Sequence, residues 1–258
     1  MPFSQYVSLI DMMARMELRA DAARFFFGYL WWILEPLLYV AVFYFVFAVI
    51  LTSRQPDFLF FLMTGKLAFN WFSKSVTQSA ISINRGAGLI GRVDVPKTLF
   101  PMATIQSGLY RQASVFALLS VVLMIGGFFP TMTWLYLIPI VFVNYLMIVA
   151  CGFIAACLVS MVRDFMPVIP LGMIFLMFTS GIFWDPHALG DPAKTELLLT
   201  ANPIAFILDA YRQALMYNTA PDLAHLATLG FASGALICAM VLIMRRGNHL
   251  LALKALTA

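Results

Sequence analysis

Long, mainly apolar runs dominate the chain. They occupy residues 28–52, 58–81, 104–129, 134–160, 166–184 and 226–244. Each is close to the ~20 residues that an α-helix needs to cross the hydrocarbon core of a bilayer, and most connections between them are short. The pattern predicts an all-α integral membrane protein with six transmembrane helices.

The composition agrees with this prediction. Apolar residues make up 62% of the 258 residues and charged residues 11%, whereas soluble domains have about 45–50% and about 25%. A soluble fold cannot bury that much apolar surface, and little chain remains for a separate catalytic domain. We therefore predict one transmembrane domain over residues 1–258, made of an interfacial helix (1–27), a six-helix membrane domain (28–246) and a cytoplasmic tail (247–258).

The first 24 residues have an amphipathic pattern. At about 100° per residue, one helix face gathers apolar side chains: Tyr6, Leu9, Ile10, Met13, Met16 and Ala20. Asp11, Arg15 and Arg19 lie on the opposite face, and Glu17 intrudes on the apolar one. A helix of this kind lies in the plane of the membrane interface. The alternative is a solvated helix packed on a partner domain.

The distribution of Lys and Arg predicts the orientation in the membrane. With a cytoplasmic N-terminus, ten basic residues fall on the cytoplasmic side: Arg15, Arg19, Arg24, Arg85, Arg92, Lys97, Arg163, Arg245, Arg246 and Lys254. Only Arg54, Lys194 and Arg212 fall on the far side. Both termini are therefore predicted to be cytoplasmic. The basic residues form no block or stripe, so the net charge of +4 does not indicate nucleic-acid binding.

Two of the connections differ from ordinary loops. Residues 82–96, predicted to be cytoplasmic, mix glycine and charge with a few apolar side chains. Residues 185–223, predicted to be external, contain four prolines and an apolar portion at 204–216. That portion is too short to cross a bilayer, so it is predicted to be a re-entrant or interfacial helix protected by protein contacts.

Signals for enzyme chemistry are negative. Residues 64–66 supply a Gly-Lys pair, but the first glycine and the following hydroxyl of a phosphate-binding loop are absent. His187, His225 and His249 are far apart and lack metal-ligand spacing. We therefore expect no catalytic residue, cofactor or metal in this chain. An intramembrane acyl or glycosyl transferase, the remaining enzyme class, would need acid, base or metal ligands clustered at one membrane depth, and none is apparent.

Short motifs in a fixed order give a positive signal. They are FGYLWWILEP at 27–36, TG at 64–65, FNWF at 69–72, GLI at 88–90, VPK at 95–97, LFP at 99–101, VRDF at 162–165, and NP at 202–203 followed by Arg212. In this order they resemble the ABC-2 permease family, in particular the members that export capsule, O-antigen or teichoic-acid polymers. The resemblance covers nearly the whole chain, although Ala87 and Val95 depart from the family pattern.

The resemblance implies a homodimer of six-helix subunits in the bacterial inner membrane, with a channel along the dimer axis for a lipid-linked polysaccharide. Two separate ATPase subunits on the cytoplasmic face would bind ATP and Mg²⁺. The second possibility for the substrate is a drug or another small amphiphile. Residues 84–94 resemble the coupling helix, whose alternative is an ordinary interfacial loop. The predicted ATPase contacts are Arg85, Gly88, Leu89, Ile90 and Arg92.

The first predicted span carries an aromatic stripe. Trp32, Pro36, Tyr39, Phe43 and Phe47 fall within an arc of roughly 80°. Sugar rings stack on aromatic rings without strong fixed hydrogen bonds, so such a stripe would let a polysaccharide slide. Trp71 and Phe72 of the second span complete the predicted channel lining. The alternative is helix packing or contact with membrane lipids.

Four ionisable residues lie inside the predicted spans: Glu35, Lys66, Lys74 and Arg111. A charge facing lipid is costly, so each should meet protein or water. Our hypothesis is that Glu35 pairs with Lys74 or Arg111, and that the remaining cation faces the channel entrance and meets the phosphate of a lipid-linked substrate. The alternative is that all three side chains reach the membrane interface.

Overall fold

The computed structural model describes residues 3–46, 57–93, 95–248 and Lys254, without the side chains of Phe3 and Phe43. All regular structure in these ranges is helical, which confirms the all-α prediction. The helices are α1 (Phe3–Ala23), α2 (Trp31–Tyr44), α3 (Phe58–Ala80), α4 (Ser82–Arg85), α5 (Ala87–Ile90), α6 (Leu99–Ile125), α7 (Leu137–Met161), α8 (Phe165–Thr179), α9 (Pro192–Ala201), α10 (Pro203–Leu215) and α11 (Leu223–Arg246).

Among the described residues, three helical segments are long and apolar enough to cross a membrane. They are Leu99–Ile125, Met132–Met161 (a 3-10 turn continued by α7) and Leu223–Arg246. A fourth candidate is the bent pair Ser4–Ala23 and Gly28–Val42, and α8 is a shorter apolar helix. Six complete spans are therefore not established by helix length and composition.

Helix α3 is the centre of the bundle and packs against α2, α6, α7, α8 and α10. Its polar residues explain why its apolar pattern is weaker than that of its neighbours. The hydroxyl of Thr64 donates to the Phe60 carbonyl at 2.8 Å, and that of Ser79 donates to the Val76 carbonyl at 3.0 Å. Hydroxyls bonded to their own helix leave no unsatisfied group in an apolar surrounding.

Helix α1 lies along α6 and meets the following helical segment at an angle of 96°. Its buried stripe is Ile10, Ala14, Leu18 and Ala22, a spacing of four that keeps one face turned toward α6. Two members of the predicted apolar face lie outside this stripe: Met16 is 62% exposed and Ala20 is also exposed. Their contact with the membrane interface stays a prediction.

Helix α10 matches the short apolar helix predicted for residues 204–216. Pro203 occupies its first position, and the Asn202 side chain accepts hydrogen bonds from the backbone N–H groups of Ile204 and Ala205. Apart from Pro203 and Gln213, all of its residues are buried. The protein contacts expected for a helix that enters the bundle without crossing it are therefore present.

Candidate functional site

Helices α2 and α3 are joined by an ion pair at the predicted position. Lys74 Nζ lies 2.6 Å from Glu35 Oε1. The Lys74 side chain is 46% exposed and the Glu35 side chain 29%, so water reaches both. The sequence analysis offered Lys74 or Arg111 as the partner of Glu35, and in the structure Glu35 pairs with Lys74.

Arg111 of α6 has partners of its own. Its Nη1 donates to Asp21 Oδ2 of α1 and its Nη2 donates to Gln78 Oε1 of α3, both at 3.0 Å. The sequence did not predict this carboxylate, which α1 supplies by folding back against α6. The position of Arg111 at a channel entrance stays a prediction. We call Asp21, Glu35, Lys74 and Arg111 the α1–α6 cluster.

Helix α1 makes further polar contacts along α6. The Tyr110 hydroxyl donates a hydrogen bond to Asp11, and Arg15 Nε lies 2.9 Å from Asp11 Oδ2. These two partners, Tyr110 first, hold the pKa of the Asp11 carboxyl below its ordinary value. Burial raises the pKa of the Glu17 carboxyl on the same helix. Charge and polarity therefore fix α1 against α6 in addition to its apolar stripe.

Lys66 is buried, at 5% exposure, on the side of α3 that faces α8. Its Nζ lies 3.0 Å from the sulfur of Met177 and 5.7 Å from the ring centroid of Tyr39. A cation over an aromatic face is stabilised by the ring quadrupole. The expectation that this residue meets protein is confirmed.

The predicted channel aromatics occupy different surroundings. Tyr39 is 46% exposed, Trp32 is half-buried, and Trp71 and Phe72 are each 3% exposed. The Phe43 side chain and all of Phe47 lie outside the described residues. Among the described side chains of this set, Tyr39 and Trp32 alone lie at a surface of the single chain. The lining role stays a prediction.

The predicted coupling segment forms two four-residue helices, α4 and α5, and Asp94 lies outside the described residues. Leu89 is 41% exposed, whereas Ile90 is 7% exposed and belongs to the core. Arg85, Gly88 and Arg92 are exposed. The segment can therefore offer Leu89 and the two arginines to another protein, but not the Ile90 side chain as the prediction has it.

Arg212 of α10 is 1% exposed and packs against α3 at Gly65, where α3 has no side chain. Its Nη2 donates to the carbonyls of Phe61 and Ile182 at 3.4 Å, and its guanidinium carbon lies 3.4 Å from the Phe61 ring centroid. A Cβ on Gly65 would lie 2.4 Å from Nη2. Glycine is therefore required where the guanidinium passes α3.

Asp209, one turn before Arg212, is 2% exposed. Its Oδ1 lies 3.1 Å from His187 Nε2, and its Oδ2 accepts a hydrogen bond from Gln213 Nε2 at 2.6 Å. We call Gly65, His187, Asp209 and Arg212 the α10 cluster. Beside it opens a cavity of about 680 Å³ lined by His187, Glu196, Asp209, Gln213 and His225, among others.

The sequence does not predict some of these contacts. Asp21 stands near the end of an amphipathic helix, where a carboxylate is unremarkable, and Asp209 and His187 are 22 positions apart. Two of the short motifs contain members of the α10 cluster, TG at 64–65 and NP at 202–203 followed by Arg212, but the sequence did not indicate that Gly65 and Arg212 meet.

Comparison with known proteins gives several relatives. No family model matches the chain. The chain is 26% identical over 210 residues, 81% of its own length and 80% of the relative's, to the O-antigen export system permease protein RfbA of Klebsiella pneumoniae. It is 26% identical over 235 residues (91% and 90%) to the protein of the same name from Myxococcus xanthus. The polysialic acid transport protein KpsM of Escherichia coli is 27% identical over 206 residues (78% of each chain). The resemblance seen in the short motifs is thereby confirmed, and the chain is related to the ABC-2 permeases of polysaccharide export.

Proposed function

We propose that the chain is the permease subunit of an ABC transporter that exports a lipid-linked polysaccharide, an O-antigen or a capsular polymer, across the bacterial inner membrane. The supporting observation is similarity, over 78–91% of the chain, to two O-antigen export permeases and a polysialic acid transport protein. The matched length is as large a share of those relatives, so the similarity extends well beyond a single helix. Teichoic acid, a drug or another small amphiphile is the alternative cargo, which the names of the relatives do not favour.

The proposal includes six spans, formed by α2, α3, α6, α7, α8 and α11, and two cytoplasmic termini. It also includes a homodimer. Buried side chains of α3 fill the interior of the described bundle, and a filled bundle offers no path to a hydrated polymer. Two subunits would enclose a wider channel, with Tyr39 and Trp32 available at a surface to line it. A separate ATPase subunit would bind ATP and Mg²⁺.

The test is reconstitution of the chain with its genomically encoded ATPase partner. We expect nucleotide hydrolysis and export of a lipid-linked polymer into proteoliposomes only when both proteins are present. Deletion of the gene should abolish the surface polysaccharide while the lipid-linked polymer accumulates in the cytoplasmic leaflet. ATP hydrolysis by the highly purified chain alone, or unchanged surface polysaccharide in the deletion strain, would contradict the proposal.

The coupling segment has its own test within the same assay. Leu89→Asp changes an exposed side chain, so it should leave membrane insertion intact while it weakens ATPase association or uncouples hydrolysis from export. The matched control is Leu197→Asp, which changes an exposed leucine of α9. Export at the wild-type rate by Leu89→Asp would contradict the proposal that this segment couples ATP hydrolysis to export.

A further inference from the structure

The exposed part of the coupling segment is tied to Gly86 through one turn of backbone. Gly86 separates α4 from α5. Its carbonyl accepts hydrogen bonds from the N–H groups of Leu89 and Ile90, both at 3.0 Å. Leu89 is 41% exposed, whereas Ile90 is 7% exposed. A partner protein that presses on the Leu89 side chain therefore acts on the backbone of Gly86 within a single turn.

The backbone of Gly86 lies directly against the ring of Phe100. A Cβ on Gly86 would lie 2.3 Å from Cε1 and 2.4 Å from Cδ1 of this ring. Gly86 has a φ of −79°, which any residue can adopt, so the ring and not the backbone angle excludes a side chain here. Phe100 is 5% exposed and belongs to the first turn of α6. Because close-packed interiors are poorly compressible, displacement of Gly86 is passed to α6.

The start of α6 is also bonded to α1. Thr98, directly before α6, is 7% exposed, and its hydroxyl lies 3.0 Å from the Tyr6 hydroxyl. A threonine at the start of a helix commonly caps it by accepting a bond from a backbone N–H. Within the described residues the Thr98 side chain makes no such bond, and its hydroxyl reaches α1 instead. The coupling segment and the N-terminal half of α1 therefore contact neighbouring residues of α6.

Two further contacts join α1 to α6. The Tyr110 hydroxyl of α6 donates a hydrogen bond to Asp11. Arg111 of α6 donates to Asp21 at 3.0 Å. Together with Tyr6, these residues attach α1 to α6 along most of its length. A helix held at three successive positions moves with the helix that holds it.

We propose that the contact of Gly86 with Phe100 transmits displacement of the coupling segment to α6. Helix α1 follows α6 through the hydrogen bond between Tyr6 and Thr98. All four are positioning residues, which act through the helices that carry them. The state of the ATPase thereby changes the position of α1 as well as that of the membrane helices. The inference rests on the proposed function, because it needs an ATPase that engages Leu89.

The first test measures the ATP hydrolysed per polymer exported in proteoliposomes that contain the chain and its ATPase partner. Phe100→Val removes the two ring atoms nearest to Gly86, so this ratio should rise by at least about fivefold, the lower end of coupling between sites. Gly86→Ala pushes the ring away and should raise the ratio as well. The double variant places the new methyl where the ring was, so it should couple better than either single variant. Binding of the ATPase should not change, because Phe100 is buried.

Phe116→Val is the matched control for these variants. It shortens another phenylalanine of α6, which packs against Trp71 and Tyr211 and not against the coupling segment. Its ratio should be that of the wild type even where the midpoint of thermal unfolding, Tm, falls. A wild-type ratio in both Phe100→Val and Gly86→Ala, or an equal rise in Phe116→Val, overturns the inference while the export function stands. Absence of ATP-driven export by the wild-type chain overturns the proposed function, and this inference with it.

The second test follows α1 by hydrogen–deuterium exchange of the complex without nucleotide and with ADP and vanadate. We expect exchange in residues 3–23 to differ between the two conditions. Thr98→Val removes the hydroxyl and keeps the shape, so it should reduce this difference by at least about half, while the difference in residues 82–93 is retained. Thr179→Val is the matched control, because its hydroxyl bonds the Phe175 carbonyl of its own helix. An undiminished difference in Thr98→Val, or no difference in a wild-type complex that exports, overturns the inference.

Discussion

The α1–α6 cluster and the α10 cluster place charges inside the same helix bundle in opposite ways. In the α1–α6 cluster each cation has a carboxylate, Lys74 with Glu35 and Arg111 with Asp21, and all four side chains are partly exposed. In the α10 cluster Arg212 is 1% exposed and contacts two carbonyls and the face of Phe61. Among the described residues, no ion pair joins Arg212 to a carboxylate.

The difference separates an adaptable site from a fixed one. Partly exposed ion pairs contribute little net stability and can exchange partners with water or a ligand. A buried guanidinium has no such freedom, because moving it would leave a desolvated cation without its carbonyls and its ring. We therefore expect substitutions in the α10 cluster to lower the stability of the fold strongly. Substitutions in the α1–α6 cluster should lower it less.

The largest effect is expected for Gly65→Ala. The new Cβ would lie 2.4 Å from Arg212 Nη2, so the guanidinium must leave its position or α10 must move away from α3. Overpacking costs about 1–3 kcal/mol, and disturbance of a buried charge adds to it, for a total of about 3 kcal/mol or more. The measurement is Tm of the detergent-solubilised protein. Gly234→Ala is the control, and it should keep or slightly raise Tm because alanine favours helix.

A double variant decides whether the effect passes through Arg212. Arg212→Met removes the group with which the new methyl collides, so Gly65→Ala with Arg212→Met should be more stable than Gly65→Ala alone. The two changes should therefore be non-additive, as expected for residues in contact. Additive losses would show that position 65 acts through another neighbour. The α10 cluster could then not be described as a fixed site built around Arg212.

A smaller loss is expected for Glu35→Gln. The substitution leaves Lys74 without its carboxylate in a partly exposed site. We expect a loss of about 1 kcal/mol in the free energy of unfolding, which lies between the losses for exposed and for buried ion pairs. Glu35→Gln with Lys74→Met should recover most of that stability, as measured by Tm in detergent. A loss as large as that of Gly65→Ala would mean that the pair is as fixed as Arg212, contrary to the comparison.

The sequence predicted the helices better than the contacts between them. The lengths of the apolar runs are sufficient for α3, α7 and α10, and the cost of a charge in lipid is sufficient to predict a partner for Glu35. The partner of Arg111 could not be found in this way, because it depends on the 96° bend that returns α1 to α6. Trp71, Gly108 and Gln112 are ordinary residues in sequence, and the packing of α3 against α6 places them around one small cavity between these helices and α2.

Short helices gave the poorest prediction. Leu89 and Ile90 were both expected to contact the ATPase, yet one is exposed and the other belongs to the core. A four-residue helix is barely one turn, so it has no hydrophobic period from which an inner and an outer face can be read. Which of the two residues is buried depends on the packing of α4 against α3, α6 and α7 and of α5 against α4.

The smallest effect concerns pH and the contact of Asp11 with Tyr110. The hydrogen bond from Tyr110, followed by the contact with Arg15, lowers the pKa of Asp11 below its ordinary value. The folded chain therefore binds fewer protons there than the unfolded chain does. The stabilising contribution is complete above the ordinary pKa of about 3.9 and is lost as the pH falls through the lowered pKa.

Hydrogen–deuterium exchange of the α1 peptide tests this contact. Asp11→Asn and Tyr110→Phe should each increase exchange in α1 slightly at neutral pH, and the double variant should exchange no faster than Asp11→Asn alone. Tm of Asp11→Asn should also fall less steeply than that of the wild type as the pH is lowered below about 4. The same acid dependence in both proteins would contradict the assignment, and α1 would then be held by its apolar stripe and by Arg111 with Asp21. Because Asp11 lies at the surface, its loss should loosen α1 without unfolding the bundle, which is the behaviour expected of the adaptable side of the molecule.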